Sequence, residues 1–330
     1  MPIRTAIIGY GLAGRTFHVP LIQGTDGLEL VAVSTSRAEQ VPSDIQVVPP
    51  EALIADPATD LIVVASPNES HFELAKAALA SGKHVVIDKP MCVSTDEARA
   101  LIDASLRFDR LLIPFHNRRW DSDFLTVRKL MESGTLGRVL LFEAHWDRFR
   151  PQVAERWREV PKPGAGLLFD LGPHMIDQAL LLFGAPEAVF ADLEKQREDA
   201  QVDDYFALTL HYGASRVRLS ASAMVAQPRP RFSAHGTNGS FVMVGLDPQE
   251  NQLRAGGDVL APDFGVDANL HGTLTAADGS SHRVPSERGE WLSFYHGVAA
   301  AIADGSPPPV TPEDALMGLQ IIEKAHANQA

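Results

Sequence analysis

The sequence predicts an α/β chain in two parts. The N-terminal part reads as a doubly wound parallel sheet. The C-terminal part reads as an α+β domain on an open, mostly antiparallel sheet. Three observations carry this. Short contiguous apolar runs, at 6–8, 61–65 and 84–87, alternate with helix-compatible stretches, as strands buried on both faces of a parallel sheet do. A glycine-rich turn follows the first run directly. Beyond Arg118 the candidate strands are longer, alternate in polarity and are joined by hairpin-length links, which predicts antiparallel pairing. The boundary near Arg118 gives domains of residues 1–118 and 119–330.

The bulk composition narrows the function. With 330 residues, 45% of them hydrophobic, the chain has apolar material for two cores. A net charge of −13 argues against nucleic acid or an anionic membrane as partner, because both need a basic face. The single cysteine, Cys92, excludes an internal disulfide and a cysteine metal cluster. The first apolar run is too short for a signal peptide, and no stretch is long enough to cross a bilayer. The cytoplasm is the expected compartment.

In order along the chain, Arg4–Gly14 reads RTAIIGYGLAG, a strand entering a turn. Gly9, Gly11 and Gly14 stand at the G-x-G-x-x-G spacing, with Tyr10 and Leu12 between them. The first glycine permits the tight turn, the second lets a pyrophosphate approach the backbone, and the third lets the next helix pack against the strand. The phosphates would sit at that helix's N-terminus. Leu12–Gln23 is the expected helix, its regular part ended early by Pro20. Leu28–Val33 is the second strand. An NAD site usually places a carboxylate about 20 residues past the glycines, on the ribose 2′-hydroxyl. Here Ser34, Thr35, Ser36 and Arg37 occupy that place. Hydroxyls and a guanidinium suit a 2′-phosphate, so NADP is the expected cofactor, with NAD possible. A solvated polar turn is the bland reading of the same residues.

Leu61–Ala65 leads to Ser66, Pro67 and Asn68, a loop at the carboxyl end of a strand, where ligands bind in open α/β sheets. His71 opens the next helix, either as a cofactor neighbour or with no ligand. His84–Ile87 delivers Asp88-Lys89-Pro90, with Lys89 at the ligand end of a strand and Pro90 open to a cis bond. Ser94 and Glu97 form a capping box for a helix to Phe108, and Leu111–Phe115 closes the first sheet. His116–Asp121 is either a charged linker or a wall of the active site; Trp120 and the paired arginines favour the wall.

In the second part Phe124–Met131 reads as a helix. Arg138–Arg148, Val189–Gln196, Asp204–Tyr212, Arg216–Met224, Arg231–His235 and Ser240–Val244 read as strands. Residues 247–282, rich in Gly, Asp and Pro, carry no clear pattern. Trp291–Ile302 and Asp314–Ala325 read as closing helices, the latter capped at Thr311 with proline following. Glycines 164 and 166 lead into a helix with Asp170, His174 and Asp177 on one face. Histidine titrates near neutrality, and a neighbouring carboxylate fixes its tautomer, which suits proton removal from an alcohol. A surface hydrogen bond and a metal pair are the competing readings. The helix offers no obvious third ligand, so no metal is expected.

These motifs together resemble the glucose–fructose oxidoreductase/inositol dehydrogenase/rhizopine-catabolism (Gfo/Idh/MocA) family over essentially the whole length. The resemblance rests on GYGLAG at 9–14, SPNESH at 66–71, DKP at 88–90 and GAGLLFDLGPH at 164–174. Asp88 stands where the family usually has Glu, and Ala165 interrupts its usual run of three glycines. FHNRRWDSDF and HWDRFRPQ resemble the NADP-dependent scyllo-inositol dehydrogenase-like branch. The resemblance implies an N-terminal Rossmann domain and hydride transfer between a nicotinamide and a cyclic polyol or sugar. It also implies homodimers or homotetramers formed through the C-terminal sheet. It implies that Lys89 polarises the carbinol oxygen, that His174 is the general base, and that Asp170 orients His174 or binds a hydroxyl. Asp88, Trp157 and Arg158 would join the cofactor site. His116, Asn117, Arg119, Trp146 and Arg148 would join Asp170 and His174 around the substrate. The family also includes dinucleotide-sensing regulators without catalysis, and such a sensor has no need of Lys89, Asp170 and His174 together.

Overall fold

The computed structural model of the chain describes residues 1–154 and 157–327. Two compact units emerge. The first contains residues 1–117 and two later segments. Its sheet is built from β1 (Ile3–Ile8), β2 (Leu28–Ser34), β3 (Gln46–Val47), β4 (Leu61–Val64), β5 (His84–Ile87) and β6 (Leu112–Pro114). The strand order is β3-β2-β1-β4-β5-β6, and all pairings are parallel. Every residue of β4 is fully buried, as a central strand with two covered faces must be. The order reverses between β1 and β4, the switch point where such sheets bind ligands.

The crossover helices of this unit are α1 (Val19–Gln23), α2 (Pro50–Ala55), α3 (His71–Ala80) and α4 (Thr95–Phe108). α1 corrects an expectation. Pro20 does not shorten the helix but lies in the first turn of α1. A wider π segment, Gly14–His18, precedes it, with the Val19 amide reaching back to the Gly14 carbonyl. The π turn takes up the register change where proline has no N–H to give. Ser94 caps α4 as expected, its Oγ accepting the Glu97 amide at 3.2 Å; Glu97 reaches back to the Val93 amide, one residue before the cap, at 3.3 Å.

The second unit holds residues 118–248 and 265–289 and the chain from Met317. Its strands are β7 (Val139–His145), β8 (Ala188–Glu194), β9 (Tyr205–Tyr212), β10 (Ser215–Ser222), β11 (Phe232–Gly236), β12 (Gly239–Val244), β13 (His271–Ala276) and β14 (Ser281–Pro285). They form one sheet in the order β14-β13-β12-β11-β7-β10-β9-β8. Only β7 and β10 pair in parallel. β13 falls in the stretch whose sequence shows no clear pattern, and β14 begins at its end; β14 is exposed at four of its five residues, so it leaves no apolar alternation to read. α5 (Ser122–Glu132) packs on β11, and α6 (Leu167–Phe183) packs on β9 and β10. Phe142, Phe206 and Phe232 fill the space beneath them.

The chain returns twice to the first unit, with residues 249–264 and 290–316. These segments carry α7 (Gln249–Arg254), α8 (Leu292–Asp304) and the start of α9 (Pro312–Ala327). A boundary near Arg118 places both segments in the 119–330 block, whereas they pack with the first unit. Aromatic packing explains the return. Phe294 meets Phe115 edge-on at 4.8 Å, and Trp291 meets Phe17 at 5.6 Å. Trp291, Phe294 and Tyr295 are all fully buried, and burying three aromatic side chains outweighs sequence distance.

Candidate active site

The glycine turn after β1 has three different backbone environments. Gly9 has φ +112°, and a Cβ there would lie 2.4 Å from the Ala65 carbonyl oxygen. Its amide donates to the Ser34 carbonyl at 2.9 Å, tying the turn to the end of β2. A Cβ on Gly14 would lie 2.0 Å from the Gly9 carbonyl oxygen. A Cβ on Gly11 would meet nothing within 4 Å. Two glycines are therefore required by the protein itself, while the middle one faces open space. That is the arrangement a pyrophosphate needs, so the residues present fit a dinucleotide. Tyr10 is buried, whereas Leu12 is exposed.

At the end of β2, Ser34 is buried while Ser36 and Arg37 are exposed. The Thr35 hydroxyl accepts the Arg37 amide at 3.0 Å and turns the chain there. After β4, the Ser66 and Ser70 hydroxyls are 2.7 Å apart, and Pro67 and Asn68 lead into the next helix. His71 is 1% exposed, with both ring nitrogens against backbone carbonyls: Nε2 at 2.8 Å from Ser66 O, Nδ1 at 2.9 Å from Pro90 O. After β5, the Asp88 carboxylate accepts the Lys89 amide at 2.8 Å. The Lys89–Pro90 bond is cis, and Lys89 is half-buried. His116 and Asn117 follow β6 and are buried in the same unit.

The first helix also carries a buried histidine that sequence reasoning missed. His18 Nδ1 lies 2.6 Å from the Tyr295 hydroxyl, and its ring packs 4.3 Å from Phe115. Burial pulls its pKa down to about 4, against the opposing pull of Asp88. Burial also raises the Tyr295 hydroxyl well above its ordinary range. The pair is therefore neutral.

The second unit holds the acid–base helix. α6 begins after Gly166, at φ +97°. A Cβ there would lie 2.0 Å from the Asp203 carboxylate. Asp203 caps the helix from far along the chain, accepting the Leu168 amide at 2.7 Å; burial raises its pKa above the ordinary carboxylate value. Asp170, His174 and Asp177 all lie on α6, as the spacing predicts. Asp170 has Arg158 at 3.5 Å and Arg148 at 3.7 Å. His174 is 6% exposed, and its ring lies 6.3 Å from Trp146. Arg118 and Arg231 both stack on the buried Trp146, at 4.4 and 4.7 Å. The Trp157 side chain lies outside the described residues.

The helix is bolted in place by side chains that the sequence did not pair. Arg119 forms a two-pronged ion pair with Asp177, at 2.8 and 2.6 Å. Gln178 donates to the Arg118 carbonyl at 2.8 Å and accepts from Arg231 at 2.8 Å. Arg231 faces Asp123 at 3.6 Å, and both are buried. Burial pushes the Asp123 carboxyl up and the Arg231 guanidinium down, while their mutual attraction opposes both shifts. The one sequence signal for this network was the density of charged residues around 116–123. Among the described residues no group of three or more His, Cys, Asp or Glu side chains is placed to hold a metal. No described helix is long and apolar enough to cross a membrane.

A parallel sheet with this glycine turn and a second unit carrying a histidine–aspartate helix define a nicotinamide-dependent oxidoreductase. Residues 3–115 match the model of the oxidoreductase family's NAD-binding Rossmann fold. Residues 128–329 match its C-terminal alpha/beta domain. The chain belongs to the Gfo/Idh/MocA oxidoreductase family. It is 40% identical to scyllo-inositol 2-dehydrogenase (NADP(+)) IolW of Bacillus subtilis, over 98% of this chain and 92% of that protein. It is 44% identical to the YdgJ oxidoreductase of Escherichia coli, over 97% of this chain and 94% of that one. The solved structure of yvaA from Bacillus subtilis superposes with TM-score 0.96 at 40% identity, covering 98% of this chain and 95% of that one. YPO2259 from Yersinia pestis gives 0.94 at 42% identity, covering 99% and 94%. The enzyme thus acts on a small-molecule substrate with a nicotinamide dinucleotide.

Proposed function

We propose that the chain is an NADP-preferring dehydrogenase that reversibly oxidises one secondary alcohol of a cyclic polyol or sugar, of the scyllo-inositol type. The observation that carries the cofactor reading is the end of β2, where Ser36 and Arg37 are exposed and no carboxylate occurs until Glu39. The similarity to IolW supports the polyol reading. When bound, the nicotinamide supplies the hydride acceptor or donor.

In this reading the chain's own residues do the rest. The Gly9–Gly14 turn, with Tyr10 and Leu12, holds the dinucleotide, joined by Ser34–Arg37, Ser66–Asn68, Asp88, Trp157 and Arg158, while His71 is buried behind the Ser66 loop. Lys89 polarises the carbinol oxygen. His174 takes the alcohol proton as the hydride leaves and returns it in reduction. Asp170 orients His174 or accepts a substrate hydroxyl. His116, Asn117, Arg119, Trp146 and Arg148 surround the substrate. The mixture of donors and acceptors suits vicinal hydroxyls, which are both. Exposed Leu140, Phe190 and Val244 on the second sheet support a homo-oligomer formed through that sheet, acting in the cytoplasm.

The test is NADP and NAD reduction across inositols, aldoses, simple alcohols and hydroxy acids. Inositols or aldoses with NADP are the expected substrates. Turnover of hydroxy acids or simple alcohols alone overturns the polyol reading, and equal use of NAD overturns the cofactor preference. Lys89→Met abolishes turnover with the fold retained. His174→Ala lowers it by roughly 10²–10⁴-fold and removes its rise with pH in the oxidative direction.

A further inference from the structure

One imidazole in the first unit spans two loops that border the cofactor crevice. β4 and β5 are neighbours in the sheet. The loop after β4 contains Ser66, and the loop after β5 contains Lys89 and Pro90. His71 reaches the Ser66 carbonyl through Nε2 at 2.8 Å and the Pro90 carbonyl through Nδ1 at 2.9 Å. At 1% exposure it has no room to serve a ligand directly. Both partners are carbonyl oxygens, which accept and never donate. A neutral imidazole carries one N–H and satisfies one of them; the doubly protonated ring satisfies both. Leaving a buried carbonyl or ring nitrogen without a partner costs ~1–3 kcal/mol.

Asp88 and His71 both act electrostatically on His18. Asp88 is the anion of this cluster, and its carboxylate also holds the Lys89 amide. His18, bonded to Tyr295, stays neutral because burial lowers its pKa to about 4.

We propose that His71 is a positioning residue: a two-donor clamp, protonated at both ring nitrogens, that sets the backbone on either side of Lys89's strand end. Its grip on the Pro90 carbonyl fixes the Pro90–Met91 peptide, one residue past Lys89, and its grip on Ser66 fixes the neighbouring loop against it. The proposal rests on the role given to Lys89 above. Its effect falls on the chemical step more than on dinucleotide affinity, because the glycine turn that holds the phosphates is a separate backbone structure.

Two measurements test it. In ¹⁵N-histidine correlation spectra of the full chain at assay pH, with the His71→Gln spectrum assigning the signal, His71 is expected to show two protonated ring nitrogens. One unprotonated nitrogen overturns the two-donor clamp, whatever the activity. In kinetics, His71→Gln has its donors at one end only and cannot span both carbonyls. Its two N–H donors sit on one nitrogen and its oxygen only accepts, so it is expected to lower kcat at least 10-fold, with dinucleotide Kd, read by reduced-nicotinamide fluorescence, changed less than 3-fold. A kcat unchanged in His71→Gln while Lys89→Met abolishes turnover overturns the positioning role alone. Near-normal turnover in Lys89→Met instead overturns the reading of Lys89, and the spectra still decide the clamp. A Kd weakened as much as kcat assigns His71 to cofactor binding and overturns the proposal.

Discussion

The dinucleotide turn and the acid–base helix are built by opposite means. The turn is made of backbone: Gly9, Gly11 and Gly14 differ in what surrounds the missing side chain, and of the three Gly9 has a positive φ. The helix α6 is made of side-chain partnerships: Asp203 caps it, Arg119 holds Asp177, and Arg231 and Arg118 hold Gln178. The turn's glycines are close neighbours in sequence, although Gly9 also closes against Ala65 and Ser34. A site written in side chains is non-local, since Asp177 finds its partner 58 residues away. The first tolerates no added side chain at Gly9 or Gly14. The second tolerates a paired replacement but not the loss of one member.

The largest effects should come from the turn. In Gly14→Ala, the new Cβ would meet the Gly9 carbonyl oxygen at 2.0 Å, so the backbone must move and dinucleotide binding should be lost. Gly9→Ala should behave alike and lose stability by ~1–3 kcal/mol from its left-handed φ alone. Gly11→Ala, with open space around it, should keep its melting temperature and lose only dinucleotide affinity. Calorimetry on the three variants with and without NADP separates these outcomes. A destabilised Gly11→Ala would break the distinction between structural and ligand-facing glycines.

For the helix, Arg119→Ala leaves Asp177, 4% exposed, without its cation. Urea unfolding should show a loss of ~3–5 kcal/mol. Arg119→Met with Asp177→Leu should lose much less, because no charge is left buried alone. If the double variant is as unstable as the single one, the ion pair is not what holds α6.

A smaller effect belongs to His18. Its pKa is about 4 in the folded protein and about 6.5 when unfolded. Between those values the unfolded chain binds the extra proton, so stability rises with pH. Acidification from pH 7 should therefore cost stability progressively from about pH 6.5 down to about 4, reaching ~3 kcal/mol in full. Melting temperatures at pH 7 and 5 measure it, and His18→Gln should remove this part of the slope. An unchanged slope would mean that carboxylates alone set the acid sensitivity of the first unit.

The sequence by itself determined the parallel sheet, the glycine turn, the strand-end position of Lys89 and the common face of Asp170 and His174. Each follows from residues within one strand, turn or helix, where periodicity and backbone sterics act locally. The antiparallel pairing of β9 with β10 and of β11 with β12 was legible for the same reason, through their short links. Only the tertiary structure decided that residues 249–264 and 290–316 belong to the first unit. Only it decided that Pro20 sits inside a helix, that His71 clamps two carbonyls, and that Arg119 is paired to Asp177. Those outcomes depend on which apolar faces find each other and which buried charge finds its partner. Both are settled by burial across long chain separations, and a linear pattern carries no measure of them.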